Sequence, residues 1–387
     1  MSFYVQISQI SRNLEVYEND HLVKILILKG QGKAFCAGGD VVGMLLSIIN
    51  GHWSFCARFY KKQLTLDYLI ATSTKPLVSL INGIVMGGGA GLSMNSMFRV
   101  VTENTVFAMP EGQIGLFPDV GASYFLSRLS GSFGKVVNSS YDFIIFQHNF
   151  LEYLIHVVLT HFPFICVNRY EGEYLGLTGA RLDGSEMLAC GLATHFVLSK
   201  DLLLLENALS EVASSDALTI SRVISAFSSK ISLKKDNHQQ MFLKGTVEEI
   251  LSTLENEVVN GDNKWIVHAI SSMKSASPTS LKIFLKLIRE GRTKELKDCL
   301  IQDYTIVCHL IRRTFNRDFI EGSRAKLFEK DKQPKWEPSK LELVSDEMVD
   351  QYFQKLMMLI GNTYNFLKEQ ILPKYGNQNS SWIVKDD

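Results

Sequence analysis

Two glycine-rich turns, each placed after an apolar strand-like run, constrain this chain more than any other feature of its sequence. The first run, Leu22 to Gly30 (LVKILILKG), is closed by glycine and followed by AFCAGGD, Ala34 to Asp40. The second, Pro76 to Val85 (PLVSLINGIV), leads into MGGGAGLS, Met86 to Ser93, and then a helix-permissive stretch. Apolar runs of this kind suit strands covered on both faces. The implied order is strand, glycine turn, helix, and it occurs twice.

Further along, Phe98 to Val101 and Thr105 to Phe107 read as two short β segments. They deliver Ala108-Met109-Pro110-Glu111 to the end of a strand. Asp183-Gly184-Ser185-Glu186 followed by MLACG predicts a helix with a polar start and a stop at Gly191, and His195 to Leu198 a closing strand. From about Asp201 the pattern changes to long amphipathic helices, with Val247 to Val259 and Ser280 to Arg289 as examples. The second half is therefore read as mainly α. Beyond about Leu341 the chain turns polar and ends in Asn, Gln and Ser, a tail expected to be partly disordered.

The chemistry is suggested by what the two turns share. Acyl-thioester reactions place negative charge on the former carbonyl oxygen, and two backbone N–H groups aimed at it stabilise it. Glycine lets a backbone come close to a ligand, and a helix N-terminus adds positive potential. Gly38-Gly39 and Gly87-Gly88-Gly89 meet these requirements about fifty residues apart. Either motif alone reads equally well as a plain turn. The third element is Glu111, set among Phe107, Met109, Ile114, Leu116 and Phe117, with Asp119 eight residues on. An apolar pocket raises a carboxyl pKa and two neighbouring carboxylates push their values apart, which makes an acid/base pair. Away from the glycine turns, the same residues would read as a solvated loop glutamate and a turn aspartate.

Composition narrows the partners. Forty basic and forty acidic residues leave no net field in the 387-residue chain, so neither nucleic acid nor an acidic membrane surface is indicated. The six cysteines are scattered, with no CxxC pair and no histidine cluster at zinc-like spacing, so a reduced compartment and no metal are expected. The first residues lack both a continuous apolar core and an Arg-rich leader, and the last ones are not a peroxisomal SKL-type address.

AFCAGGD, NGIVMGGGAGLS, FAMPEGQIGLFPDVGASYFLSRL and LTGARLDGSEMLACGLATHFV occur here in the order and with the residue types of the crotonase (enoyl-CoA hydratase/isomerase) superfamily, which the chain resembles from about Ser2 to about Leu356. The resemblance implies an α/β fold, a spiral of ββα repeats with a mainly α-helical C-terminal region. On this view residues 1–200 form the core, 201–340 the helical region and 341–387 the polar tail. It implies an acyl-CoA substrate, with coenzyme A part of the substrate and no separate cofactor. The oxyanion hole would use the N–H groups of Gly39 and Gly88.

Carboxylates decide the subfamily. Hydratases usually carry one glutamate shortly after the triple glycine, where this chain has Gly91, and another where it has Glu111. Asp119 stands where hydratases usually have glycine, and FPDVG looks like the 3-hydroxyisobutyryl-CoA hydrolases. SPTSLK (Ser277 to Lys282), DFIEGSRA (Asp318 to Ala325) and KDKQPKWEP (Lys330 to Pro338) are similar to segments of that subfamily. The implied roles are catalysis by Glu111 and Asp119, with Gln63, Gly88, Glu111 and Asp119 binding substrate. The implied reaction is hydrolysis of a short branched hydroxyacyl-CoA in valine breakdown, in a mitochondrion or peroxisome. An assembly of identical chains is compatible with the resemblance.

Three departures qualify it. The segment that relatives carry before Ser2-Phe3 is missing, so the first strand of the spiral would be absent and its neighbour would have an open edge. Gly134 and Glu173 are separated by 38 residues, Lys135 to Gly172, which hold eight Phe or Tyr residues and His148, His156 and His161. This stretch has no clean period and reads as translated intron-like sequence. Its polar residues rule it out as a membrane span. Gln63 and Asn95 stand where the subfamily usually has glutamate and histidine. Two other readings follow: hydration or isomerisation of an enoyl-CoA, opposed by Gly91, and a catalytically silent CoA-binding or subunit-interaction protein.

Overall fold

The computed structural model describes residues 3–129, 170–229, 239–242, 244–258 and 263–355. The chain opens with α1 (Phe3–Asn19), then β1 (Leu26–Lys29), β2 (Ala34–Cys36), α2 (Val41–Ile49) and α3 (Trp53–Ala71). A second round follows with β3 (Leu77–Ile81), β4 (Ile84–Met86) and α4 (Gly88–Met94), and a third with β5 (Phe98–Val101), β6 (Val106–Ala108) and the short α5 (Ala122–Phe125). In each round the first strand joins one sheet and the second joins another. The orders are β1-β3-β5-β8 and β2-β4-β6-β7, with β7 at Leu182–Asp183 and β8 at His195–Phe196. All pairings are parallel except β6 with β7. This is the ββα spiral expected from the resemblance.

The apolar run from Pro76 to Val85, read as one strand, is two. Asn82-Gly83 breaks it, with Gly83 at φ +90 and so close to the first round that a Cβ there would meet the Lys33 carbonyl oxygen at 2.2 Å. The step hands the chain from one sheet to the other. β1 also differs from expectation: its strand starts only at Leu26 and lies at a sheet edge among the described residues, where exposed Lys29 pairs with Glu206. β3, by contrast, is buried along its whole length. Its alternation serves two cores, since Val78 and Leu80 pack with Leu205, Leu209, Ile220 and Ile224, whereas Leu77 and Ile81 join the larger cluster. Burying each such side chain contributes about 1.5–3 kcal/mol.

Helices follow from capping and pattern. α6 (Glu171–Thr178) leads to β7 and α7 (Gly184–Cys190), whose Asp183–Glu186 capping box and Gly191 stop at φ +87 match the sequence reading. α8 (Leu202–Ser210) and α9 (Ala217–Phe227) cover the first sheet. The helical region continues with α10 (Val247–Val258), α11 (Lys264–Ser275), α12 (Pro278–Gly291), α13 (Leu296–Arg312), α14 (Asp318–Ser323) and α15 (Asp346–Tyr352). Ser277 caps α12 through the Ser280 N–H, and its hydroxyl also donates to Asp318 Oδ2 at 2.6 Å. Glu173, fully buried, ties α6 to α12 through Arg289 and Arg292. α13 packs along α3, so helical region and spiral share one core. The chain also stays packed beyond Leu341, where a polar tail was expected: Val344, Val349 and Tyr352 are buried. Residues 135–169 of the atypical stretch, with its three histidines, lie outside the described residues; Tyr170 to Gly172 enter α6.

Candidate active site

The two glycine turns meet. Gly38 (φ +99) and Gly87 (φ +52) occupy backbone conformations that glycine adopts freely. A Cβ built on Gly38 would lie 3.7 Å from the Gly88 nitrogen, and one on Gly87 would lie 3.6 Å from Gly38 Cα. Each turn opens a helix: Asp40 caps α2 by accepting from the Gly43 N–H at 2.9 Å, and Gly88 is the first residue of α4. The N–H of a first helical residue has no partner inside its helix. Neither the Gly39 nor the Gly88 N–H is engaged by an acceptor among the described residues. Two free donors thus stand side by side.

Gly39 and Gly88 both line a cavity of about 320 Å³, together with Gln63, Glu111 and Asp119. Every site residue singled out from the sequence is therefore brought to one place. Asn95 is not among them; it ends α4, where its Nδ2 donates to the Gly91 carbonyl oxygen at 3.0 Å. Glu111 begins a tight helical turn, Glu111–Ile114, just past β6. The place a Gly87 Cβ would fill lies 3.3 Å from its Oε1, and its Oε2 has no partner among the described residues. Asp119 precedes Val120 (φ +53) and Gly121 (φ +81), a left-handed pair that costs strain at valine. This turn is held from the helical region: the Gly121 N–H donates to Asp303 Oδ2 on α13 at 2.7 Å.

Burial sets the electrostatics. It pushes the Glu111 carboxyl far above the usual glutamate value, and the neighbouring charge of Asp119 pushes it further. Burial also raises Asp119 to about 7, against hydrogen bonds from its own backbone and from the Tyr60 hydroxyl. At neutral pH the pair holds fewer than two charges, so one carboxyl keeps a proton while the other ionises. Lys326 is the one cation lining the cavity among the described residues, and its Nζ lies 3.5 Å from Gln113 Oε1. No group of metal-ligating side chains occurs among the described residues, and no described helix is long and apolar enough to cross a membrane.

Several contributors were not singled out from the sequence. Tyr60, Lys326 and Leu327 line the cavity, and Asp67 and Asp303 stand behind it. Tyr60, Gln63 and Asp67 recur at helical spacing on α3, a signal that also fits an ordinary core face. Gly91, where a hydratase glutamate was looked for, has no room for any side chain. A Cβ there would lie 2.7 Å from Asp67 Oδ2 and 2.8 Å from Val120 Cβ.

A ββα spiral with two converging glycine turns over a buried carboxyl defines a recognisable class. Residues 5–139 and 159–353 match the enoyl-CoA hydratase/isomerase family, and the chain belongs to that family. Residues 140–158, inside the atypical stretch, stay unmatched. Among individual relatives, the chain is 46% identical over 357 residues to the probable 3-hydroxyisobutyryl-CoA hydrolase 3 of Arabidopsis thaliana, covering 90% of this chain and 84% of the relative. It is 45% identical over 363 residues to 3-hydroxyisobutyryl-CoA hydrolase 1 of the same organism, covering 92% and 86%. Among solved structures, a carnitinyl-CoA dehydratase from Mycobacterium thermoresistibile superposes with a TM-score of 0.71 at 26% identity, covering 92% of this chain and 90% of that one.

Proposed function

We propose that the chain hydrolyses the thioester of a short branched hydroxyacyl-CoA, 3-hydroxyisobutyryl-CoA, to 3-hydroxyisobutyrate and free coenzyme A. The observation that supports the reading is that Gly39 and Gly88, whose N–H groups have no acceptor among the described residues, line one cavity with a buried carboxyl pair, with no side chain at Gly91. The Gly39 and Gly88 N–H groups would hold the thioester oxygen as it gains charge. Glu111 would then either attack the carbonyl carbon, forming a mixed anhydride that water cleaves, or take a proton from an attacking water. In either route Glu111 would act in its ionised form, with the proton that the coupled pair retains residing on Asp119, which would pass it to the departing thiolate and later recover one. Hydration of a double bond with two glutamates is disfavoured, because the Gly91 position is closed by Asp67 and Val120.

A place in valine breakdown, and a mitochondrial or peroxisomal location, belong to the same reading; microscopy of the tagged full chain tests the location. The activity test is free-thiol release by the purified protein across a panel of short acyl-CoAs. Release should be fastest with 3-hydroxyisobutyryl-CoA and should fall by about 10²- to 10⁴-fold in Glu111→Gln. Full activity in that variant would remove Glu111 from the mechanism. Label found in the Glu111 carboxyl after a single turnover in heavy-oxygen water would establish the anhydride, since direct attack of water on the thioester leaves label in the product alone.

A further inference from the structure

One buried carboxyl beside the cavity has no part in the chemistry above. Asp67 lies on α3, one turn beyond Gln63, and is fully buried. Its Oδ1 accepts a hydrogen bond from Gln63 Nε2 at 2.8 Å, and the same Nε2 lies 3.5 Å from the Gly88 carbonyl oxygen. Its Oδ2 has no partner among the described residues and fills the space that a side chain at Gly91 would need. The carboxyl is thus wedged between Gln63 and α4, set back from the cavity that Gln63 itself lines.

A primary amide offers donors at one end and an acceptor at the other. Asp67 and the Gly88 carbonyl engage the donor end of Gln63, so the acceptor end is what remains. That acceptor, Gln63 Oε1, is buried and has no partner among the described residues. A buried acceptor left unpaired is costly, and a ligand hydroxyl would relieve it. An acyl chain without a hydroxyl would only cover it. Sites built to bond a hydroxyl discriminate strongly against analogues that lack one.

We infer that Asp67 is a positioning residue: it fixes the Gln63 amide so that Oε1 accepts a hydrogen bond from the hydroxyl of the acyl group, selecting hydroxyacyl over plain acyl thioesters. The inference rests on the thioester reading and adds which part of the substrate is recognised. A carboxyl at position 67, not merely a polar residue at position 63, is what orients the acceptor.

The test measures affinity without turnover. Calorimetry on protein carrying Glu111→Gln compares 3-hydroxyisobutyryl-CoA with isobutyryl-CoA, and Asp67→Leu, Asp67→Asn and Gln63→Leu are added in turn. The background should prefer the hydroxyacyl thioester by about tenfold, the worth of one good hydrogen bond. Asp67→Leu and Gln63→Leu should reduce the preference to within about twofold, whereas Asp67→Asn, which still offers an acceptor to Nε2, should retain it. General damage to the fold would weaken both ligands alike and leave the ratio unmoved. If Asp67→Leu does not fold, Asp67→Ala, which likewise offers Nε2 no acceptor, takes its place under the same criterion. An unchanged preference in either leucine variant overturns the inference. Thiol release by the unsubstituted protein is scored separately: its absence would sink the hydrolase reading, yet a preference that depends on Asp67 would leave hydroxyl recognition standing.

Discussion

Replacing Asp119 with asparagine should make the protein more stable at neutral and alkaline pH while impairing its activity. Burial raises the Asp119 carboxyl from the usual 3.8 to about 7. Between those two values the folded chain keeps a proton that the unfolded chain has released. Stability therefore falls as pH rises through this window, is unaffected by this group below it, and loses nothing further above it. Each pH unit of difference is worth about 1.36 kcal/mol, so Asp119 withdraws up to about 4 kcal/mol between pH 4 and 7. Asparagine does not titrate, and its carbonyl can still accept from the Tyr60 hydroxyl. It also removes the charge that helps push Glu111 upward, which acts in the same direction. Water entering the cavity lowers the ceiling, and a gain of about 2 to 4 kcal/mol at high pH is expected.

Urea unfolding of both proteins at about pH 5 and about pH 8 measures the effect, because titrating groups that do not feel the Asp119 charge cancel in the difference and the neighbouring carboxyls that do feel it shift in the same direction. The variant should gain most of its advantage at the higher pH. Thiol release should fall by about a hundredfold or more at the same time. A stability difference that does not change with pH would refute the reasoning, since it would mean that the carboxyl is not held protonated by its burial.

Two further substitutions probe how the site is held. Gly89→Ala places a Cβ at 2.1 Å from the Cys36 carbonyl oxygen, forcing α4 away from β2 and the two turns apart. Urea titration should show a loss of about 1 to 3 kcal/mol, and thiol release should fall with it; unaltered activity would mean that the spacing of the turns is not critical. Asp303→Leu leaves the Gly121 N–H without its 2.7 Å acceptor beside the strained Val120. Steady-state kinetics should show kcat falling by about tenfold, with Asp303→Asn largely restoring it.

The sequence is most informative where the reason for a residue is local. Glycines at Gly38 and Gly87 are needed by the backbone itself, and the apolar runs around them are short-range patterns, so the strand, turn and helix order was legible in the residues, while the ββα repeat came from the family resemblance. Glu111 and Asp119 could be picked out because they sit in apolar company within the same stretch. The split of Pro76–Val85 was not legible, since an Asn-Gly step inside an apolar run becomes a sheet-to-sheet crossing only when Lys33 is packed against it. The helix ending at Tyr352 was missed because seven residues are too few to show a helical period. Tyr60, Asp67 and Asp303 belong to helices whose spacing is that of any core-facing helix. An acid on such a face is distinguished from a solvated one only by what packs over it, and here that is set by contacts between α3 and α13, distant in sequence.

Those contacts also explain how the fold tolerates its site. Four buried carboxyls, Asp67, Glu111, Asp119 and Asp303, all have raised values, and desolvation is the largest cause for each. No buried cation neutralises them among the described residues: Lys326 reaches Gln113 instead. Protons therefore stabilise the cluster where salt bridges do not. Keeping the protons requires that water stay out, and the seal is apolar: Leu64 and Leu66 on α3, and Leu300, Ile306 and Val307 on α13, are all buried. The same two helices supply Asp67 and Asp303 as well as apolar packing behind the site, while Glu111 and Asp119 come from the turns after β6. Loosening α13 should then act on activity before it acts on global stability, because hydration of the cluster would ionise Asp119 and Glu111 together and remove the proton that the leaving thiolate needs.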